Sequence, residues 1–452
     1  MFNGAKLTEV AKHGTQKINT VTKDLVMTAR LDWMPMNQQT VGQLFSHFKV
    51  EKAGPNLLES TQFKHWATSV SKLYKTNSEG ANMAMVSTLT VQYQDEALAR
   101  MLAAAREVPG TKDVATNLFN AQMKYWISEK KSADQVFRYL ELDQAGENVL
   151  ASPLLKRWMK FVQQKSEDPY RALYLDLSTR FDDKGLANVL LGSKVGFGKK
   201  FDYHKLDDLV VQKWVDSKKT VDDVYELLKL RNVESSDFLQ NPAVNTWVSF
   251  VTKRLDIPNT SPHELLYRKL ITQYDDKGLA NVLLSPKGDF GEKFDFLKFD
   301  NLILQKWVDS GKTVDDAYDL LKLRNVESSD FLQSPALENW LSFVTKLSSR
   351  LDNPNKGPPE LLYGKLVSQY NDNELANVLL GLKGGFGEKF ELHKLDDLVL
   401  QKWVDSGKTV DDVYTLLKLG DGKTILQNPA LETWLAFMTK LNSPLHNPYE
   451  ET

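Results

Sequence analysis

The chain contains no cysteine. That excludes a disulfide framework, thiolate metal sites and a cysteine nucleophile, and it suits a reducing compartment. Charge of one sign is also missing. With 57 Lys and Arg against 59 Asp and Glu, the net charge is −2, so no general field draws the molecule onto nucleic acid or an anionic membrane. Long apolar runs are absent too. The run at 186–191 is typical of the longest, and a bilayer span needs about 20 residues. Residues 1–10 lack the apolar core of a secretory signal. Neither nucleic acid nor membrane is therefore an expected partner. What remains is 42% hydrophobic and 26% charged over 452 residues, enough for a large core and about two to four domains.

Internal self-similarity dominates the chain. Residues 205–230 read KLDDLVVQKWVDSKKTVDDVYELLKL, and 394–419 differ from them at three of 26 positions. LKLRNVESSDFLQ occurs identically at 228–240 and 321–333, and LANVLL begins at 186, 279 and 375. Tryptophan marks the register in two series, Trp126, Trp214, Trp307, Trp403 and Trp66, Trp158, Trp247, Trp340, Trp434, with steps of 88 to 96 residues. Only Trp33 falls outside. Phe137, Tyr225, Tyr318, Tyr414 and Tyr93, Phe181, Tyr274, Tyr370 keep the same beat. A period near 90 is too long for one helical hairpin, so each repeat should hold about five helices.

The third repeat shows how. Leu206, Leu209, Val210, Lys213 and Trp214 fall largely on one helical stripe. Thr220 with Asp223 predicts a capping box, repeated as Thr313/Asp316, Thr409/Asp412 and Ser132/Gln135. Tyr225 and Leu228 carry that helix toward a loop over 231–240. Asn241–Pro242 opens a third helix, since proline lacks only an N–H that the first turn leaves free. Ser152–Pro153, Ser334–Pro335 and Asn428–Pro429 repeat the signal. Val244, Trp247, Val248 and Val251 form its buried face. A fourth helix after Pro262 turns Leu266, Leu270 and Tyr274 inward. A short fifth carries Leu279, Val282 and Leu283, before a glycine-containing junction at 285–291. No stretch alternates with period two, which predicts essentially no sheet. Stacked repeats bury apolar surface that one alone would expose.

Patterns that could carry chemistry have plainer explanations. His13, His47, His65, His204, His263, His393 and His446 show no close ligand spacing. The glycine–lysine stretch 192–200 misses the phosphate-loop spacing, and its equivalents from 285 and 381 mark it as the repeat junction. Asp222/Asp223, Asp315/Asp316 and Asp411/Asp412 sit in helical first turns, where negative charge favours the dipole. Asp182/Asp183 and Asp207/Asp208 read the same way. No nucleophile elbow is present. No catalytic, metal or cofactor-binding residue is therefore expected, and the chain reads as a binding scaffold rather than an enzyme. The aromatic residues read as core: Trp66, Tyr93, Trp158, Phe181, Trp247, Tyr274, Trp340, Tyr370 and Trp434. Repeats three to five are near copies, so a unique partner surface is sought in the first two. Arg138 and Glu141 beside Phe137 and Leu140, and Lys156 and Arg157 beside Trp158, are the candidate partner-binding residues.

A leucine-rich segment (206–230, 297–323, 395–419), a tryptophan helix (Trp158, Trp247, Trp340, Trp434) and an aromatic helix (Phe181, Tyr274, Tyr370) together resemble the LWY tandem repeat of oomycete RXLR effectors of the Phytophthora type. Residues 39–109, with Trp66 and Tyr93, resemble the simpler WY form. The resemblance covers about 39–446 and implies an all-α, elongated tandem array of helical-bundle WY/LWY repeats. The boundaries it suggests are an N-terminal segment at 1–38, a WY unit at 39–109, LWY units at 110–196, 197–289 and 290–387, and a partial unit at 388–452 serving as a C-terminal cap. No Arg-x-Leu-Arg string occurs. In the family that motif and the secretion signal lie upstream of the repeats. The resemblance further implies a virulence protein secreted by a pathogen and translocated into the host plant cytoplasm. Its expected partners are host proteins, with the protein phosphatase 2A scaffold subunit and core enzyme as the named candidate. There the chain would replace a regulatory subunit and present clients. A decoy that sequesters one host protein without recruiting a phosphatase is the alternative, and a monomer is expected.

Overall fold

In the computed structural model of the chain, the described residues are 36–192, 202–254, 261–288, 290, 294–350, 357–381, 390–391, 393–421, 428 and 430–442. The expectations placed on 1–35, on His13, Trp33, Pro429 and His446, and on the junctions at 193–201, 289, 291–293 and 382–389 lie outside them. Every regular element among the described residues is helical.

The backbone packs as two compact units, Met1–Val210 and Val211–Thr452. The first holds α1 (Gln38–His47), α2 (Thr61–Leu73), α3 (Ser78–Tyr93), α4 (Asp95–Ala105), α5 (Lys112–Ser128), α6 (Ala133–Tyr139), α7 (Leu155–Gln164), α8 (Pro169–Arg180) and α9 (Asp183–Leu191). Helix α10 (Tyr203–Asp216) contains the division. The second unit holds α11 (Val221–Leu227), α12 (Pro242–Lys253), α13 (Pro262–Gln273), α14 (Asp276–Leu284), α15 (Phe296–Asp309), α16 (Val314–Leu320), α17 (Pro335–Ser348), α18 (Pro358–Gln369), α19 (Asp372–Leu380), α20 (His393–Asp405), α21 (Val410–Leu416) and α22 (Ala430–Asn442).

The short helices α6, α11, α16 and α21 recur because their caps recur. Each opens on a reciprocal capping box: Ser132/Gln135, Thr220/Asp223, Thr313/Asp316 and Thr409/Asp412. The Asp223 amide donates to Thr220 Oγ1 at 3.0 Å, and the Thr220 amide donates to Asp223 Oδ2 at 2.8 Å. That amide bond, helped by the threonine hydroxyl, holds the Asp223, Asp316 and Asp412 carboxyls below the ordinary aspartate range. Just past each C-cap one residue turns left-handed: Glu141, Lys229, Lys322 and Lys418, with φ of 54°, 54°, 58° and 51°. Such positions favour glycine, so packing must hold these side chains there.

One contact set is stamped into successive repeats. The indole N–H groups of Trp158, Trp247 and Trp340 donate to the first-residue carbonyls of the preceding short helices, Ala133, Val221 and Val314, at 2.8, 3.1 and 3.1 Å. The same indoles meet Phe137, Tyr225 and Tyr318 edge to face, with centroids 5.2, 5.7 and 5.5 Å apart. In the first repeat Trp66 bonds the Val41 carbonyl at 3.1 Å and meets Phe45 at 5.1 Å. All four indoles are fully buried. The hydrogen bond satisfies the one polar atom of each ring, and the edge-to-face geometry adds to the area term.

Several expectations change. Trp434 keeps its bond to the Val410 carbonyl at 3.1 Å but is only half-buried, because no further helix among the described residues follows α22. Tyr93, Phe181, Tyr274 and Tyr370 are half-buried rather than core. The last three stand at helix C-caps in extended backbone, and Tyr274 and Tyr370 donate their hydroxyls to the Val233 and Val326 carbonyls. Burial pushes both phenols up to about 12. The expected loop at 231–240 holds two one-turn 3₁₀ segments, Leu230–Asn232 and Phe238–Gln240, with Leu230, Phe238 and Leu239 fully buried. On α10, Leu209 and Lys213 are half-buried and Val211 is buried. Helix α7 starts at Leu155 instead of Pro153, although Ser152 Oγ accepts from the Leu154 amide at 3.3 Å as Ser334 Oγ accepts from the Ala336 amide where α17 starts on its proline.

Candidate functional site

Among the described residues, no three His, Asp or Glu side chains converge as they would around a metal ion. No helix among them is long and apolar enough to cross a membrane. What the surface offers is grooves between helices, and one of about 820 Å³ borders the second repeat.

The four residues singled out in that repeat fall into two different settings. Arg138, near the end of α6, is exposed and pairs with Asp134 one turn earlier. Asp134 also takes Arg180 Nη2 at 3.2 Å, and Arg180 reaches Asp176 at 3.3 Å. Glu141, in its left-handed position, pairs with Arg100 at 2.8 Å. These groups are already partnered within the chain. Exposed pairs of this kind contribute at most about 1 kcal/mol to stability, and a ligand would have to displace a partner to use either residue.

Lys156 and Arg157 face a different environment. Both line a cleft of about 820 Å³ walled by the end of α4, by α5 and α7, and by Tyr170 of α8. Its cations are Arg106, Lys156, Arg157 and Lys160, and its one carboxylate is Glu107. The Arg157 guanidinium lies 4.4 Å above the centre of the Phe119 ring. Arg106 approaches the same ring at 5.9 Å. Two like charges therefore gather around one aromatic ring. Burial, and then the charge of Arg106, push Arg157 down to about 10, which still leaves it protonated at neutral pH. The Nε of Arg106 is buried and has no hydrogen-bond partner. A second hollow of about 240 Å³ continues past Arg157 and Lys160 to Lys124 on α5.

Sequence reading placed Lys156 and Arg157 here but missed Arg106. The signal was present. Arg106 stands eleven residues after Asp95, as Lys287 stands eleven after Asp276. That register is visible only once α4 and α14 are aligned through their leucines, Leu98 with Leu279 and Leu102 with Leu283.

No family profile matches the chain. Individual relatives do. The chain is 27% identical over 415 residues to the RxLR effector protein PSR2 of Phytophthora sojae, covering 90% of this chain and 60% of that protein. It thus spans about 60% of the length of that relative. Against the RxLR effector protein CRE15 of Phytophthora infestans, identity is 32% over 270 residues, covering 59% of this chain and 75% of CRE15. The crystal structure of PcRxLR12 superposes with a TM-score of 0.51 at 26% identity, covering 89% of this chain and 95% of that one. With a relative of that identity matched along three-quarters of its length, the chain belongs to the RxLR effectors of Phytophthora.

Proposed function

We propose that this effector is a non-enzymatic modular scaffold acting inside host plant cells. In this reading it joins the host protein phosphatase 2A core in place of a regulatory subunit and presents client proteins to it. The observation that carries the reading is how the aromatic residues are used. The tryptophans of one series, Trp66, Trp158, Trp247, Trp340 and Trp434, are consumed by helix packing, each with its indole N–H satisfied by a backbone carbonyl, and those of the other, Trp126, Trp214, Trp307 and Trp403, are fully buried. Recognition is left to exterior side chains, and function then resides in sites set on the fold rather than in the fold itself. Similarity to named effectors and the WY/LWY-like order of aromatic residues support the same reading.

The test is affinity purification from plant extract with the intact chain as bait. The reading predicts that phosphatase scaffold and catalytic subunits co-purify, that the eluate dephosphorylates a phosphopeptide, and that the purified effector alone turns over nothing. Capture of a host protein without phosphatase subunits would leave a sequestering decoy instead. Intrinsic hydrolase or transferase activity of the pure chain would contradict the scaffold reading altogether.

A further inference from the structure

The cleft beside Arg157 has a counterpart in the fourth repeat, and comparing the two isolates an unbalanced charge. The counterpart, of about 490 Å³, is lined by Lys287, Asp300, Glu338, Asn339 and Ser342 among others. Counting from the tryptophans, Phe119 stands seven residues before Trp126 as Asp300 does before Trp307. Lys156, Arg157 and Lys160 flank Trp158 as Glu338, Asn339 and Ser342 flank Trp340. Arg106 and Lys287 each stand eleven residues after the aspartate that opens the preceding helix, Asp95 and Asp276.

In the fourth repeat the junction cation has a partner, since Lys287 donates to the nearly buried Asp300 carboxylate. In the second repeat that acid has become the Phe119 ring, and Asn339 has become a second arginine over it. Glu338 and Ser342 have become Lys156 and Lys160. A cleft with one cation and two carboxylates in the fourth repeat thus corresponds to one with four cations and a single carboxylate here. Charge held near a low-dielectric wall without a counter-ion costs stability, which folding alone gives no reason to keep.

We propose that the Arg106–Arg157 cleft of the second repeat binds an acidic peptide segment of a partner protein, whose carboxylates take the place that Asp300 fills in the fourth repeat. The spread of the cations decides between a peptide and a single small anion. Lys156 and Lys160 are one helical turn apart along α7, and Arg106 approaches from α4, whereas Lys124 on α5 is already paired with Glu79 at 2.6 Å. Pro153, Met159 and Tyr170 add surface for an apolar or aromatic neighbour. Planar guanidinium groups that rest on an aromatic ring are preorganised for bidentate carboxylate contacts. This site deepens the adaptor reading by naming the chemistry of what is captured.

The experiment is fluorescence anisotropy of the purified intact chain with a labelled, glutamate-rich peptide containing leucine. Its controls are the same peptide with glutamine for glutamate, inorganic phosphate as competitor, and vesicles of anionic phospholipid. The site predicts binding of the acidic peptide that weakens as salt rises, no binding of the glutamine peptide, and at least a roughly tenfold loss in the R106Q/R157Q variant. Because Arg157 is half-buried, K156Q/K160Q at exposed positions provides a second variant whose fold is not in question, and it is expected to lose several-fold. Arg138→Gln is expected to change nothing. Absence of peptide binding, equal binding by both cleft variants, or arginine-dependent binding of phosphate or vesicles but not of peptide would overturn the proposal. The measurement uses no host extract, so it separates cleanly from recovery of phosphatase subunits.

Discussion

The second and fourth repeats carry the same packing and opposite surface chemistry. In both, a fully buried tryptophan donates to the first carbonyl of a capped short helix and meets an aromatic ring edge to face. In both, a junction cation points into a cleft between the helices that follow. Yet Lys287 finds Asp300, whereas Arg106 finds Phe119 and a second arginine. The difference teaches that positions fixing the helices were held while positions lining the cleft were free to change. A repeat array can thereby acquire a partner site without redesigning its core.

The largest expected effect tests the shared half of this comparison. Trp158→Ala and Trp340→Ala should each cost about 3–5 kcal/mol in urea unfolding, with similar values for the two. Trp434→Ala, at a half-buried position, should cost clearly less. A Trp158 variant that unfolds no more easily than wild type would break the equivalence.

The next effect separates the clefts. Lys287→Met removes the cation facing the nearly buried Asp300 and should cost about 1–3 kcal/mol at neutral pH, toward the lower end because Lys287 is itself 37% exposed. Burial already raises the Asp300 carboxyl against the pull of Lys287. A carboxyl raised in the folded state favours folding in acid and loses that advantage as pH climbs through its folded value. The Lys287→Met penalty should therefore shrink on acidification. Arg106→Met at the same repeat position orphans no acid, so its cost should stay below about 1 kcal/mol. Equal penalties would show that the two clefts are compensated alike.

A smaller effect concerns the turn after the first helix of each repeat. Gly311 and Gly407 adopt φ of 74° and 72°, and the equivalent Lys130 and Lys218 are forced to 54° and 55°. Lys218→Gly should stabilise by about 0.5–1 kcal/mol in thermal unfolding, because the left-handed strain removed exceeds the chain entropy added. Smallest is a titration. Asp223, Asp316 and Asp412 are held below the usual carboxylate range. Their contribution is present above the unfolded aspartate value and is lost as pH falls through the folded one. The box of the second repeat uses Gln135, which carries no proton to gain. In an NMR acid titration the Thr220 amide should shift with Asp223, and the Ser132 amide should not.

Much of the framework was legible in the sequence because it is written in local terms. The four capping boxes and the tryptophan registers were read directly, and so were the proline-led helices α12 and α17. The two 3₁₀ segments in 231–240 were missed because one turn is too short to show a period, although Leu230, Phe238 and Leu239 are buried. The aromatic residues at Phe181, Tyr274 and Tyr370 were over-buried, since sequence spacing does not reveal that a helix ends on them. In the cleft, Lys156 and Arg157 could be singled out as departures from the repeat. Arg106 was missed, because its register shows only when α4 is aligned with α14 and its surroundings are compared with the Lys287–Asp300 pair of another repeat. Arg138 and Glu141 looked free in sequence and are paired in space, Glu141 with an arginine 41 residues away.

Thermal unfolding of Arg157→Asn, which installs the fourth repeat's residue, tests the division between framework and cleft most directly. If Arg157 is kept for recognition against the grain of stability, the variant melts at the wild-type temperature or a few degrees above it. A melting point lowered by more than about 5 °C would make Arg157 part of the framework and contradict the account.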